Sequence, residues 1–217
     1  RVNLARCSVQ EAADALTVDG IVCTPVDDIN SALQVVENER RVATSQAYLD
    51  GLVELQDTSS QVAVNALEIT RGQRVLDYCA GGGGKALAMA AFGADVTAHD
   101  IDAKRMNDIA PRAERAGVTI ATATGDELTS AKAFDLVLCD APCSGSGTWR
   151  RTPAAKWDLT PERLVELNEM QDDVLQQAAP LVAVGGVLAY ATCSVFDAEN
   201  IARVQAFTAQ KTSFERI

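Results

Sequence analysis

The sequence is short of several things, and each shortage removes a class of explanation. Histidine occurs once, at His99, and no two cysteines have CxxC spacing, so a zinc site has no ligand set and no metal is expected. The six cysteines, at 7, 23, 79, 139, 143 and 193, are too dispersed over 217 residues for a disulfide framework. They read as free thiols of a reducing cytoplasm. No apolar run reaches the ~18 residues of a membrane span, and no signal-peptide pattern opens the chain. Basic excess is missing too: the net charge is −11, which argues against broad electrostatic binding to nucleic acid. That deficit is uneven, with eleven acids against four bases in residues 1–70 and −4 over the remaining 147. A polyanion would need a local basic surface, for which Arg150, Arg151 and Lys156 are the candidates.

What is present is ordinary in bulk: 47% hydrophobic and 23% charged residues, in a length that suits one α/β domain with a small appendage. The chain starts at Arg1 without a methionine and reads as a segment of a longer protein. Ser8, with Glu11 three residues on, predicts a capped helix through Leu16, and Asp57 caps a second from Thr58 to Leu67. From Arg74 the pattern becomes regular. Strands are predicted at Arg74–Tyr78, Asp95–Ala98, Thr119–Ala123, Asp135–Cys139 and Val187–Ala191. Helices are predicted at Gly84–Ala91, Asp102–Ala116 and Pro161–Val182, the last stopped by Gly185-Gly186, and a final one runs from Asp197 to Gln210. Thr212–Ile217 is long enough for one more short strand. Strands alternating with helices imply a doubly wound, mostly parallel sheet.

Two features of that sheet carry chemistry. The first is the run Cys79-Ala80-Gly81-Gly82-Gly83-Gly84-Lys85, which joins a strand to a helix. Glycines there let the backbone turn tightly and approach a ligand closely. A phosphate-binding P-loop is excluded, because it needs glycine at Cys79 and serine or threonine at Ala86. A dinucleotide and S-adenosylmethionine both remain open. Asp100, at a strand end 19 residues after Gly81, suits a ribose diol in either case, and Asp126, after the next strand, suits an adenine amino group. The second feature is a pair of cysteines at strand ends: Cys143 in Asp140-Ala-Pro-Cys-Ser-Gly-Ser-Gly147, and Cys193 in Ala191-Thr-Cys-Ser194. Carboxyl ends of neighbouring strands open into one crevice, so both thiols are expected to face one substrate beside the glycine loop. Cys7, Cys23 and Cys139 read as small buried residues. Trp149 and Trp157 offer rings for base stacking, with packing the expected role of Trp157.

At this point the chain resembles the Sun (Nol1/Nop2/Sun) family of RNA 5-methylcytosine methyltransferases, and its bacterial ribosomal-RNA members in particular. The resemblance runs through Arg1-Val-Asn3, Gly51–Asp57, Ser60-Gln61, Cys79–Lys85, Asp100-Ile-Asp102, Gly125-Asp126 and Asp140–Gly147. It continues through Arg150–Pro153, Lys156-Trp157, Gln171, Gly185-Gly186, Thr192–Ser194 and Glu199-Asn200. It implies a Rossmann-like class I methyltransferase fold over residues 57–217, with a small α+β lobe at 1–56 that faces RNA. It also implies S-adenosylmethionine as cofactor, ribosomal rather than transfer RNA as partner, and a monomer.

The resemblance assigns Cys193 as the nucleophile that attacks C6 of cytosine, Cys143 as the residue that helps release the methylated base, and Asp140 as a contact to the methyl donor and to cytosine N3. A positive sulfonium and Lys85 are expected to favour the Cys193 thiolate. The sequence departs from the family where Gly81-Gly82 replaces alanine-proline and Ala86 replaces threonine, which implies a looser loop and weaker cofactor binding. The family's closing strand pair and its preceding helical RNA-binding domain are expected outside residues 1–217. The residues admit two other readings: a methyltransferase fold that binds RNA or protein without catalysis, and a nicotinamide oxidoreductase, which gives the two cysteines no role.

Overall fold

Ser8 opens the first helix, α1 (Val9–Val18), with a closed capping box: its hydroxyl accepts from the Glu11 N–H, and the Glu11 carboxylate accepts from the Ser8 N–H. Ala12 and Leu16 are buried on that helix, in a cluster with Val2, Ile21, Val42 and Val53. The antiparallel strands β1 (Val22–Pro25) and β2 (Leu33–Glu37) follow, then the short α2 (Gln46–Leu49). A single bridge between Val2 and Val53 closes this α+β lobe. Asp57 caps α3 (Thr58–Asn65) by accepting from the Ser59 N–H.

The computed structural model describes residues 1–217 in full. After α3 come β3 (Arg74–Asp77), α4 (Gly84–Ala91), β4 (Asp95–Ala98), α5 (Ile109–Ala116), β5 (Ile120–Thr122) and α6 (Gly125–Ser130). The chain ends with β6 (Phe134–Asp140), α7 (Ala155–Asp158), α8 (Pro161–Ala178), β7 (Val182–Ala191) and α9 (Ile201–Gln210). The strands from β3 onward make one mostly parallel five-stranded sheet in the order β5-β4-β3-β6-β7, the doubly wound architecture of class I methyltransferases. Strand order reverses beside β3. Leu136, Val137 and Leu138 of β6 are buried, as a strand covered on both faces requires.

The packing divides the chain into two compact units, Arg1–Val75 with Ala80–Gly125 and Leu76–Cys79 with Asp126–Ile217. In the first, Leu87 of α4 packs with Ala113 and Ala116 of α5. In the second, Leu175 of α8 packs with Ala179 and Phe207, and Leu188, Tyr190 and Phe214 border that cluster.

Several expected elements are corrected, each for a local reason. The helix expected over Asp102–Ala116 is a 3-10 turn at Ala103–Met106 followed by α5 from Ile109. A continuous helix would need a Pro111 N–H to bond the Asn107 carbonyl, and proline has none. The helix expected through Val182 ends at Ala178, because Pro180 cannot bond the Gln176 carbonyl; a 3-10 turn covers Ala179–Leu181. Strand β7 therefore starts at Val182, and Gly185-Gly186 lies inside it rather than stopping a helix.

The glycine pair makes a bulge there. Phe134 pairs with Val182 but Leu136 with Val187, Gly185 takes φ +77°, and a Cβ on Gly186 would stand 2.8 Å from the Asp135 carbonyl oxygen. The last helix is interrupted at Asn200, whose amide donates to the Ser194 and Phe196 carbonyls. Thr212–Ile217 forms no strand; it turns, and Phe214 packs edge-on against Phe207. Trp157 is 78% exposed and not a packing residue, since α7 buries nothing.

Candidate active site

The register of β6 against β7 brings the two expected thiols together. Asp140 pairs with Ala191, and the Ala141 N–H carries the ladder one step further to the Ala191 carbonyl at 2.9 Å. Cys143 follows three residues after Asp140 and Cys193 two after Ala191, and their Sγ atoms lie 3.2 Å apart. The Gly147 N–H donates to the Cys193 carbonyl at 2.9 Å, a contact open only to glycine, because a Cβ would stand 2.9 Å from that oxygen.

Cys193 is exposed and Cys143 half-buried. The hydrogen bond shared with Cys193 pushes the Cys143 thiol far above the ordinary cysteine range, burial adds to this, and a backbone hydrogen bond from Gly145 works against it. Cys143 therefore keeps its proton at neutral pH. Of the pair, Cys193 is the sulfur open to a ligand. Asp140 sits half-buried at the end of β6.

Residues that sequence reasoning left without a role support the pair from behind. Glu199 is fully buried, and its carboxylate accepts from the Ser144 N–H, the Ser144 and Ser194 hydroxyls and the Gln171 side-chain amide. Gln171 also donates to the Pro142 carbonyl at 2.9 Å. Glu199-Asn200 and Gln171 stand in the resemblance pattern, but nothing in the spacing signals that a glutamate six residues past one cysteine reaches the serine beside the other.

In the other unit the glycine loop is shaped by backbone demands. Gly81 and Gly83 take φ +50° and +78°, and a Cβ on Gly83 would meet Ile109 Cγ1 at 2.7 Å. The Ala80 N–H donates to the His99 carbonyl and the Gly81 N–H to Asp100 Oδ2. Arg112 donates to the Gly82 carbonyl, Gln56 to the Gly84 carbonyl, and Arg105 pairs with Asp100 at 3.1 Å. This loop, expected to be loose, is held at Gly81, Gly82 and Gly84. Neither arginine is marked by the sequence. Lys85 lies half-buried on the first turn of α4.

These residues fit an adenosyl ligand. The loop offers bare backbone, and the buried Asp100 carboxylate accepts three hydrogen bonds, from Gly81, Asp102 and Arg105, which leaves capacity for a ribose hydroxyl. Cys79 and Ala80 are half-buried after β3. Asp126 is exposed in the first turn of α6.

Arg150, Arg151 and Lys156 lie on the segment after the Cys143 loop, and all three are exposed. Lys156 stands over the Trp157 ring, with its Nζ 4.6 Å from the centroid. Trp149 is the tryptophan that packs, edge-on to Phe196 with centroids 5.8 Å apart, whereas the sequence suggests packing for Trp157. No helix is long and apolar enough to cross a membrane.

Comparison with known proteins points the same way. Residues 64–217 match the family described as 16S rRNA methyltransferase RsmB/F. The chain is 33% identical over 224 residues to the probable ribosomal RNA small subunit methyltransferase B of Bacillus subtilis (strain 168), covering 99% of this chain and 50% of that protein. It thus spans about half the length of the curated relatives it matches. Among solved structures, PH0851 superposes with a TM-score of 0.88 at 30% identity, covering 97% of this chain and 49% of the other. A methyltransferase homolog protein from Pyrococcus horikoshii gives a TM-score of 0.81 at 26% identity, with 97% and 68% covered.

Proposed function

The chain belongs to the RsmB/F family of 16S rRNA methyltransferases, and from that premise we propose that it transfers a methyl group from S-adenosylmethionine to C5 of a cytosine in ribosomal RNA. The observation that carries this reading is the 3.2 Å separation of the Cys143 and Cys193 sulfurs at the ends of paired strands. A fold used only for binding has no need of two adjoining thiols, one of them exposed.

C5 of cytosine is a weak nucleophile. The Cys193 thiolate adds to C6, forming an S–C6 bond and moving the C5–C6 π pair onto C5, so that one hard step becomes two easier ones. Cys143 assists by donating a hydrogen bond to the attacking sulfur, and Asp140 reaches N3, where charge develops. S-adenosylmethionine, when bound, supplies the electrophilic methyl group. The Cys79–Lys85 loop would hold that ligand, with Asp100 at the ribose and Asp126 at the adenine amino group.

Release needs a base. The C5 proton must leave, and the S–C6 bond must break with its pair returning to Cys193. Once Cys193 is a thioether, the contact that raised the Cys143 pKa is gone. Cys143 then ionises to solvent, and its thiolate takes the C5 proton. Arg150, Arg151 and Lys156 contact RNA phosphates, and the lobe of residues 1–56 faces the RNA. The expected setting is a monomer in the cytoplasm.

Incubation with methyl-labelled S-adenosylmethionine and small-subunit ribosomal RNA, followed by nucleoside digestion, is expected to give labelled 5-methylcytidine. Label confined to other nucleosides would overturn the assignment.

A further inference from the structure

Glu199 is buried, yet the four donors that converge on its carboxylate are neutral, and they come from three different segments. Two of those segments are the cysteine loops. Ser144 directly follows Cys143, Ser194 directly follows Cys193, and a single carboxylate bonds both. The same serines are joined further: the Ser144 hydroxyl lies 3.4 Å from that of Ser194, and the Ser146 hydroxyl lies 3.0 Å from it and accepts from the Val195 N–H at 2.9 Å. Burial pushes the Glu199 carboxyl up, but the bonds from Ser144, Ser194 and Gln171 outweigh it and hold the group below the usual glutamate range. At neutral pH it is an anion that only accepts, and this fixes the direction of every hydrogen bond around it.

We infer that Glu199 is a positioning residue, which holds Cys143 and Cys193 at their working separation by binding the serine that follows each. The inference rests on the proposed role of the two thiols as the reacting pair. It assigns a task to a residue that touches neither substrate nor donor: with the tether intact the sulfurs meet without a search, and with it cut the loops keep only the weaker hold of the Gly147–Cys193, Ser146–Ser194 and Ser146–Val195 contacts.

Glu199→Gln is the direct probe. It keeps size and one acceptor oxygen, but places an amide N–H where the network supplies only donors. The separation is read without RNA or methyl donor, by equilibrating the chain with glutathione and its disulfide. Two thiols, Cys143 and Cys193, become one disulfide while one oxidised glutathione becomes two reduced molecules, so electrons and protons balance. The fraction of the Cys143–Cys193 disulfide, mapped by peptide mass, gives the effective concentration of one thiol at the other.

In Glu199→Gln that concentration is expected to fall about tenfold or more under conditions where circular dichroism shows the variant folded. An unchanged value would overturn the inference whatever happens to the melting temperature, since a merely structural role moves stability and leaves the thiol equilibrium alone. If Glu199→Gln does not fold, Ser194→Ala removes one tether and leaves the carboxylate three donors. The same fall is expected, and an unchanged value again overturns the inference. Because no methylation is measured, failure here is distinct from failure of the catalytic reading.

Discussion

The sulfurs of Cys143 and Cys193, 50 residues apart in sequence, share a 3.2 Å contact that is the largest cause of the raised Cys143 pKa. Cys193 therefore sets the protonation of Cys143. Under the proposed mechanism the half-buried Cys143 stays protonated, and the exposed Cys193 is the sulfur that a substrate meets.

The sign of this coupling can be measured. Replacing Cys193 with alanine removes the largest cause of the raised Cys143 pKa, so that pKa falls and more thiolate is present at a given pH. Alkylation of Cys143 by iodoacetamide at about pH 8, followed by peptide mass, is expected to be faster in Cys193→Ala than in the parent, by about tenfold for each pH unit the pKa drops. An equal or slower rate would contradict the coupling.

The glycine loop makes a second prediction. Gly83→Ala puts a Cβ 2.7 Å from Ile109 Cγ1 at a φ of +78°. Urea denaturation is expected to show a loss of about 1–3 kcal/mol, and calorimetry a weaker affinity for S-adenosylmethionine. Arg112→Ala, which frees the Gly82 carbonyl, is expected to weaken the same affinity with a smaller loss, about 1 kcal/mol. Tight donor binding by both variants would mean that the loop is not the cradle.

Basic side chains make the third. Replacing Arg150, Arg151 and Lys156 together with alanine is expected to weaken binding to single-stranded ribosomal RNA. It should also flatten the salt dependence, by about 0.7 in log–log slope for each phosphate that is no longer neutralised. Donor affinity should stay as in the parent. Fluorescence anisotropy across a potassium chloride series gives the slope, and an unchanged slope would place the RNA elsewhere on this acidic chain.

Much of the architecture is legible because it is local. The Ser8 and Asp57 caps, the glycine turn before α4 and the apolar run of β6 each announce themselves within a few residues. The misplaced boundaries are local as well, but turn on a single missing donor: Pro111 breaks the ladder ahead of α5, and Pro180 ends that of α8, where hydrophobic spacing would have continued both. Gly185-Gly186 reads as a stop because a bulge within a strand and a helix terminus both call for glycine, and only strand register separates them. Both cysteines stand out because they lie at strand ends. Glu199 does not, because its meaning depends on which loops meet around it, and that follows from the pairing of β6 with β7. That Trp149 packs and Trp157 is exposed is hidden for the same reason, since neither neighbour, Phe196 or Lys156, fixes by itself which ring is covered.

The central claim is tested most directly by incubating the chain with 5-azacytidine-substituted ribosomal RNA and S-adenosylmethionine, then resolving protein from RNA under denaturing conditions. A covalent protein–RNA species is expected in the parent, absent in Cys193→Ser, and accumulating on unsubstituted RNA in Cys143→Ser because release is slow. A parent chain that methylates cytosine yet forms no adduct, or an adduct that survives in Cys193→Ser, would contradict the account.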